Sequence, residues 1–125
     1  MSGTLAHLKQ HEQEAIKEFI GRLLQLDEVQ TNDVWLFGSK SRGDFDADSD
    51  IDLLLVLETV DWKRKERIRM TDSRVSLEYD VLLNTHILSR ERWEELTRHQ
   101  ATLWREVQRD GVALMPRPER APKAN

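Results

Sequence analysis

The run Ile51-Asp52-Leu53-Leu54-Leu55-Val56-Leu57 is apolar at every position but one. Its length is that of a strand, and strand side chains alternate between faces, so both faces of this strand are apolar. It reads as a strand buried on both sides of its sheet. Asp52 is the exception. An unpaired carboxylate in such an apolar run is costly, and something must offset that cost.

The flanking segments supply the layers that would bury such a strand. Between Leu5 and Leu26, Leu8, Ala15, Ile16, Phe19, Ile20, Leu23 and Leu24 recur at three- and four-residue steps, the stripe of an amphipathic helix. Asp27 to Asp33 is turn-like, and Val34 to Phe37 is a short buried strand stopped by Gly38. Asp61 to Asp72 is basic and weakly periodic, a helix mostly in water. Val75, Leu77, Tyr79, Val81 and Leu83 alternate with Ser76, Glu78 and Asp80, which predicts a third strand. Ser89 caps a helix in which Leu88 and Trp93 can form a hydrophobic staple. Trp93, Leu96, Leu103, Trp104 and Val107 give it an apolar stripe up to Gly111. Val112 to Met115 can add an edge strand. The order predicts an α/β fold of mixed layers, a small mixed sheet of three to four strands flanked by helices. With 125 residues, one domain is expected over 1–115, and the proline-bearing stretch 116–125 is expected to be a disordered tail.

Chemistry concentrates between the first two strands. Gly38 and Ser39 follow a buried strand directly. Glycine lets backbone N–H groups approach an anion, serine adds a hydroxyl, and a helix begun by Ser39, Lys40, Ser41 and Arg42 would favour a phosphate at its start. Lys40 and Arg42 could neutralise phosphate charge or simply lie on a helix surface. Asp50 and Asp52, two residues apart at a strand start, project to one face with roughly 6–7 Å between their Cα atoms. Asp80, on the polar face of the next strand, would bring a third carboxylate to the same sheet edge. Three such charges would repel one another and a triphosphate. Two Mg²⁺ ions reverse that balance, activating the attacking oxygen and stabilising an in-line phosphoryl displacement.

Gly38-Ser39, ten residues, then Asp50-x-Asp52 resembles the signature of the nucleotidyltransferase superfamily related to DNA polymerase beta. The fuller Gly-Ser-x-x-Arg-Gly and Ser-Asp-Ile-Asp-Leu forms, at Gly38 to Gly43 and Ser49 to Leu53, resemble its minimal (MNT) branch. The likeness is dense from about Val34 to Leu57 and extends loosely to Leu83. It implies that Gly38 and Ser39 hold the triphosphate of ATP, that Asp50 and Asp52 bind both metals, and that Asp80 is the third acid near the acceptor oxygen. It also implies a partner, because minimal members are commonly paired with an all-helical HEPN-domain toxin in a hetero-oligomeric toxin–antitoxin module. There the nucleotidyltransferase is the antitoxin and moves AMP onto a tyrosine near the toxin's RNase site. Two other roles fit the same residues: an antitoxin that acts by contact alone, and an antibiotic-type enzyme acting on a small molecule.

Other readings of the charged residues are weaker. An EF-hand loop started at Asp44 would need glycine and glutamate where Ser49 and Leu55 stand, and the frames from Asp46 and Asp48 fail too. Those three acids are expected to be solvated. The bases Lys63, Arg64, Lys65, Arg67 and Arg69 read first as a solvated helix face. His7, His11, His86 and His99 lack metal-ligand or triad spacing. Trp35, Trp93 and Trp104 are expected in the core, whereas Trp62 beside the basic run could be exposed. The absence of cysteine excludes disulfides and thiolate metal sites. A formal charge of −4 argues against a broad nucleic-acid face, so no stable nucleic-acid binding is expected. No apolar run approaches the ~18 residues of a membrane span, and Met1 to Gln13 is too polar for a signal peptide, so a cytoplasmic location is expected.

Overall fold

The computed structural model describes residues 5–26, 29, 33–43 and 50–115. A 3₁₀ turn, Leu5–His7, precedes α1 (Gln10–Leu24), then β1 (Asp33–Phe37), a four-residue α2 (Ser39–Arg42) and β2 (Ile51–Leu57). After these come α3 (Trp62–Tyr79), β3 (Leu83–Ser89), α4 (Arg90–Arg98), α5 (Thr102–Asp110) and β4 (Val112–Met115). The sheet order is β3-β2-β1-β4. β1 runs antiparallel to β2 and to β4, while β2 and β3 are parallel, connected through α3. The expected mixed α/β sheet of three to four strands is therefore present.

Strand alternation splits the core in two. Val34 and Leu36 of β1, with Ile51, Leu53, Leu55 and Leu57 of β2, join Ile16, Phe19 and Leu23 of α1 and Ile68 and Val75 of α3. The opposite set, Phe37, Leu54 and Val56, packs with Val107 of α5, and Trp35, Leu88, Trp93 and Leu103 close around it. β2 is thus covered on both sides. Residues 53–57 are at most 2% exposed.

Two predicted elements are corrected. Val75 to Leu83 is not a strand, because α3 continues to Tyr79. Val75 is fully buried while Leu77 is 86% exposed, which a helix explains and a one-faced strand does not. Ile68, Val75 and Tyr79 share the inner side of α3 at helical spacing. Asp61 caps this helix by accepting from the Arg64 amide at 2.9 Å, and Asp80 ends it in the left-handed region with φ 56. The single helix expected between Ser89 and Gly111 is two. Gln100, at φ 49, breaks it, so that α4 and α5 pack on each other. Ser89 is the cap expected of it, accepting from the Arg92 amide at 3.0 Å. Among the described residues, no helix is long and apolar enough to cross a membrane. Asp44, Asp46, Asp48 and the stretch 116–125 lie outside the described residues.

Candidate active site

β1 ends opposite the start of β2, with Phe37 paired to Asp52. The next residue, Gly38, turns at φ 85 and ψ −165, a backbone region essentially reserved for glycine. A Cβ on Gly38 would stand 2.5 Å from Oδ2 of Asp52. The bare backbone of the turn therefore lies directly against the one carboxylate of β2. A phosphate held at that backbone would sit beside Asp52.

Gly38 also starts α2, its carbonyl accepting from the amides of Ser41 and Arg42 at 3.0 and 3.1 Å. Gly43 ends this helix at φ 93, closed over by the His7 ring. α2 is fixed from two sides. Lys40 is 1% exposed, and its Nζ donates to Oε2 of Glu12 on α1 at 2.6 Å. Ser41 is fully buried, and its hydroxyl donates to the carbonyl of Asp110 at 2.5 Å. Arg42 donates through Nη1 to the Asp110 carboxylate at 2.7 Å. Burial would push the Glu12 carboxyl up, but hydrogen bonds from Lys40 and the Lys9 amide, with the Lys40 charge, hold it below its ordinary range. Asp110 is likewise buried yet held low by Arg109 and Arg42. Lys40 and Ser41 therefore turn inward, away from the nucleotide role expected of them. The cations of Lys40 and Arg42 are matched to protein carboxylates.

The other side of Asp52 is β3. The parallel register pairs Asp52 with Asn84 and Leu54 with His86. By alternation Phe37, Asp52, Asn84 and His86 share one face of the sheet, the face covered farther along by α4 and α5. Asn84 Nδ2 donates to Oδ1 of Asp52 at 3.0 Å, and His86 Nε2 stands 3.5 Å from the same oxygen. The His86 ring lies 5.2 Å from that of Phe37, tilted by 59°. Asp52 has a side chain 25% exposed. Asp50, two residues earlier and just before β2, is exposed.

The expected strand position of Asp80 is corrected. Asp80 is the exposed cap of α3, three residues before β3, so the side chain that register sets beside Asp52 is Asn84. Sequence reading passed over Asn84 and left His86 structural. Their signal was the alternation of Asn84, His86 and Leu88 against Leu83, Thr85 and Ile87, hidden by placing the strand eight residues too early.

Among the described residues no three His, Cys, Asp or Glu side chains converge as a ready cation cage. Mg²⁺ needs none, since one or two carboxylates suffice when substrate phosphates and water complete its shell. Asp50 and Asp52 are such a hard-oxygen pair, and the glycine turn against Asp52 leaves the phosphate side open. The residues present fit a nucleotide-bound Mg²⁺.

The nucleotidyltransferase domain family matches residues 16–101, from within α1 to the end of α4, and includes Gly38, Asp50, Asp52 and Asn84. The chain belongs to this family. Two relatives of the nucleotidyltransferase come from Methanocaldococcus jannaschii. The protein named "Putative protein adenylyltransferase MJ0141" is 43% identical over 72 residues, 57% of this chain and 73% of that one. "Putative protein adenylyltransferase MJ0604" is 35% identical over 81 residues, 65% of this chain and 77% of that one. Among solved structures, a toxin–antitoxin crystallised with AMP-PNP aligns at a TM-score of 0.48 and 21% identity, over 81% of this chain and 73% of that one.

Proposed function

We propose that this nucleotidyltransferase transfers AMP from ATP, with Mg²⁺, to a hydroxyl of a protein acceptor, and that it is the antitoxin of a module whose HEPN-family RNase toxin carries the acceptor tyrosine. The observation that carries the transfer chemistry is the packing of the Gly38 backbone against the Asp52 carboxylate. One turn presents amides to a phosphate and, in the same place, a carboxylate to its counter-ion. The two relatives named for protein adenylyl transfer support a protein acceptor. The toxin partner and the tyrosine rest on the resemblance of the Gly38-to-Asp52 motif to the minimal branch.

In this reading Gly38 and Ser39 hold the triphosphate, and Asp50 and Asp52 hold two Mg²⁺ ions completed by phosphate oxygens and water. When bound, the metal neutralises charge on the reacting phosphate and makes the acceptor oxygen a better nucleophile. Asn84 keeps the Asp52 carboxylate in one rotamer by donating to Oδ1, which leaves Oδ2 facing the turn. Glu12 and Asp110 fix α2 beneath the triphosphate, so binding would not have to order the turn.

The test is intact-mass measurement of the protein encoded by the neighbouring gene, co-expressed with this chain and supplied with ATP and Mg²⁺. A gain of one or more AMP units, lost in Asp50→Ala/Asp52→Ala, is the expected result. An unchanged mass with a stable complex and undiminished neutralisation in that variant would overturn the transferase reading.

A further inference from the structure

The solvent side of α3 is built unlike an ordinary exposed helix face. Trp62, Met70 and Leu77 are 73%, 44% and 86% exposed. At 3.6 residues per turn they fall within about 80° of one another, on the side away from the buried Ile68 and Val75. They form a row about 22 Å long. Lys63, Arg67 and Arg74 flank it on one side and Lys65 and Arg69 on the other, all exposed, against two exposed acids, Glu66 on the row and Glu78 one turn beyond Arg74. A strongly basic strip with an apolar ridge thus runs along a molecule of net charge −4.

α3 packs through Ile68 and Val75 on the sheet face of Leu53 and Leu55, opposite the face that carries Asp52, so the row looks away from the carboxylates.

We infer that the outer face of α3, from Trp62 through Met70 to Leu77, docks an acidic helical segment of a partner protein. This rests on the proposal that the acceptor is a protein. Charge complementarity selects the occupant. A second copy placed face to face would set bases against bases. The stretch 116–125, with Arg117, Arg120 and Lys123 against Glu119, has the wrong sign. An RNA would be attracted by the bases, but of the row only Trp62 offers it a stacking surface, while Met70 and Leu77 offer none. An acidic amphipathic helix satisfies both the ridge and its flanks.

A labelled designed helix of about 18 residues, with leucines along one face and acids elsewhere, serves as probe, titrated by fluorescence anisotropy without nucleotide. Its counterpart carries lysine in place of every acid. The acidic peptide is expected to bind, to weaken at high salt, and to lose about tenfold or more in affinity to Leu77→Asp and to Arg69→Glu/Arg74→Glu. Equal binding of both peptides overturns the proposal, as does indifference to these surface substitutions. So does a single-stranded RNA that displaces the acidic peptide, or self-association that the same substitutions abolish. AMP-PNP binding measured on the same proteins separates the two readings. If the nucleotide fails to bind wild type while the peptide binds, the transferase reading falls and the docking face stands.

Discussion

Nζ of Lys40 and Oε2 of Glu12 stand 2.6 Å apart with side chains 1% and 8% exposed, joining α1 to the helix that starts at the phosphate turn. Breaking such a pair from one side leaves a buried charge with too few partners. Lys40→Met is therefore expected to cost about 3–5 kcal/mol. Replacing both, as Glu12→Leu/Lys40→Met, should restore most of that loss, because two packed apolar groups need no compensation. Urea unfolding of the three proteins decides it, and a single variant as stable as wild type would contradict the buried pairing.

The same carboxylates set the response to acid. Glu12 and Asp110 are held below their ordinary values, so their stabilisation is complete above the unfolded carboxylate pKa of about 4 and is lost as pH falls through their folded values. Asp72 works in the opposite sense. Burial, against hydrogen bonds from Thr85 and Ser76, raises it, so its contribution is present at low pH and lost as pH rises through its folded value. Glu12→Gln should flatten the decline of stability below about pH 4, and Asp72→Asn should remove a loss that sets in as pH rises above about 4. Thermal melts across that window give the slopes, and an unchanged Glu12→Gln slope would refute the assignment.

Gly38→Ala places a methyl group 2.5 Å from the Asp52 carboxylate in a backbone region that alanine avoids. The turn must shift. The expected cost is about 1–3 kcal/mol of stability, with AMP-PNP affinity down by about a hundredfold. Calorimetric titration of the folded variant reads the second effect, and wild-type affinity would remove the turn from the site.

Asp80 holds φ 56 at the end of α3. Glycine takes that conformation without the steric cost borne by other residues, so Asp80→Gly should stabilise by about 0.5–1 kcal/mol. Transfer activity should stay within about twofold, well under the tenfold that 1.4 kcal/mol of barrier represents. A large loss of activity in this better-folded protein would return Asp80 to the reacting group.

Asp110 accepts from Arg42 and Arg109, but only Arg42 belongs to α2. Asp110→Asn should therefore weaken AMP-PNP binding by about tenfold well below the melting temperature, through a looser turn. Arg109→Ala, at a side chain 60% exposed, should leave it unchanged. Equal effects of the two would mean that Asp110 serves stability alone.

What could be read from the sequence follows from which signals are local. The burial of β2 on both faces and the break at Gly38 follow from short patterns, and each holds in the structure. The Ser89 cap was legible for the same reason. The stretch from Val75 to Leu83 was not, because Val75 and Tyr79 fit both a period of two and the inner side of a helix. Only the packing of α3 on α1 and β3 decides between them. That displaced the strand, and with it the residues beside Asp52. The pairing of Lys40 and Arg42 was equally hidden, since their carboxylate partners lie 28 and 68 positions away.

The clamp between α2 and the α5–β4 corner also has a meaning in time. Arg42 meets a carboxylate 68 residues farther along the chain, and Ser41 meets the carbonyl of that same residue. At ribosomal rates of about 5–20 residues per second, roughly 3–14 s separate the synthesis of the turn from that of its latch. During that interval the emerging chain already carries its glycine turn and both acids, while the part that secures them has yet to be made. A nascent chain that ends before Asp110 would lack both contacts that fix α2 from that side.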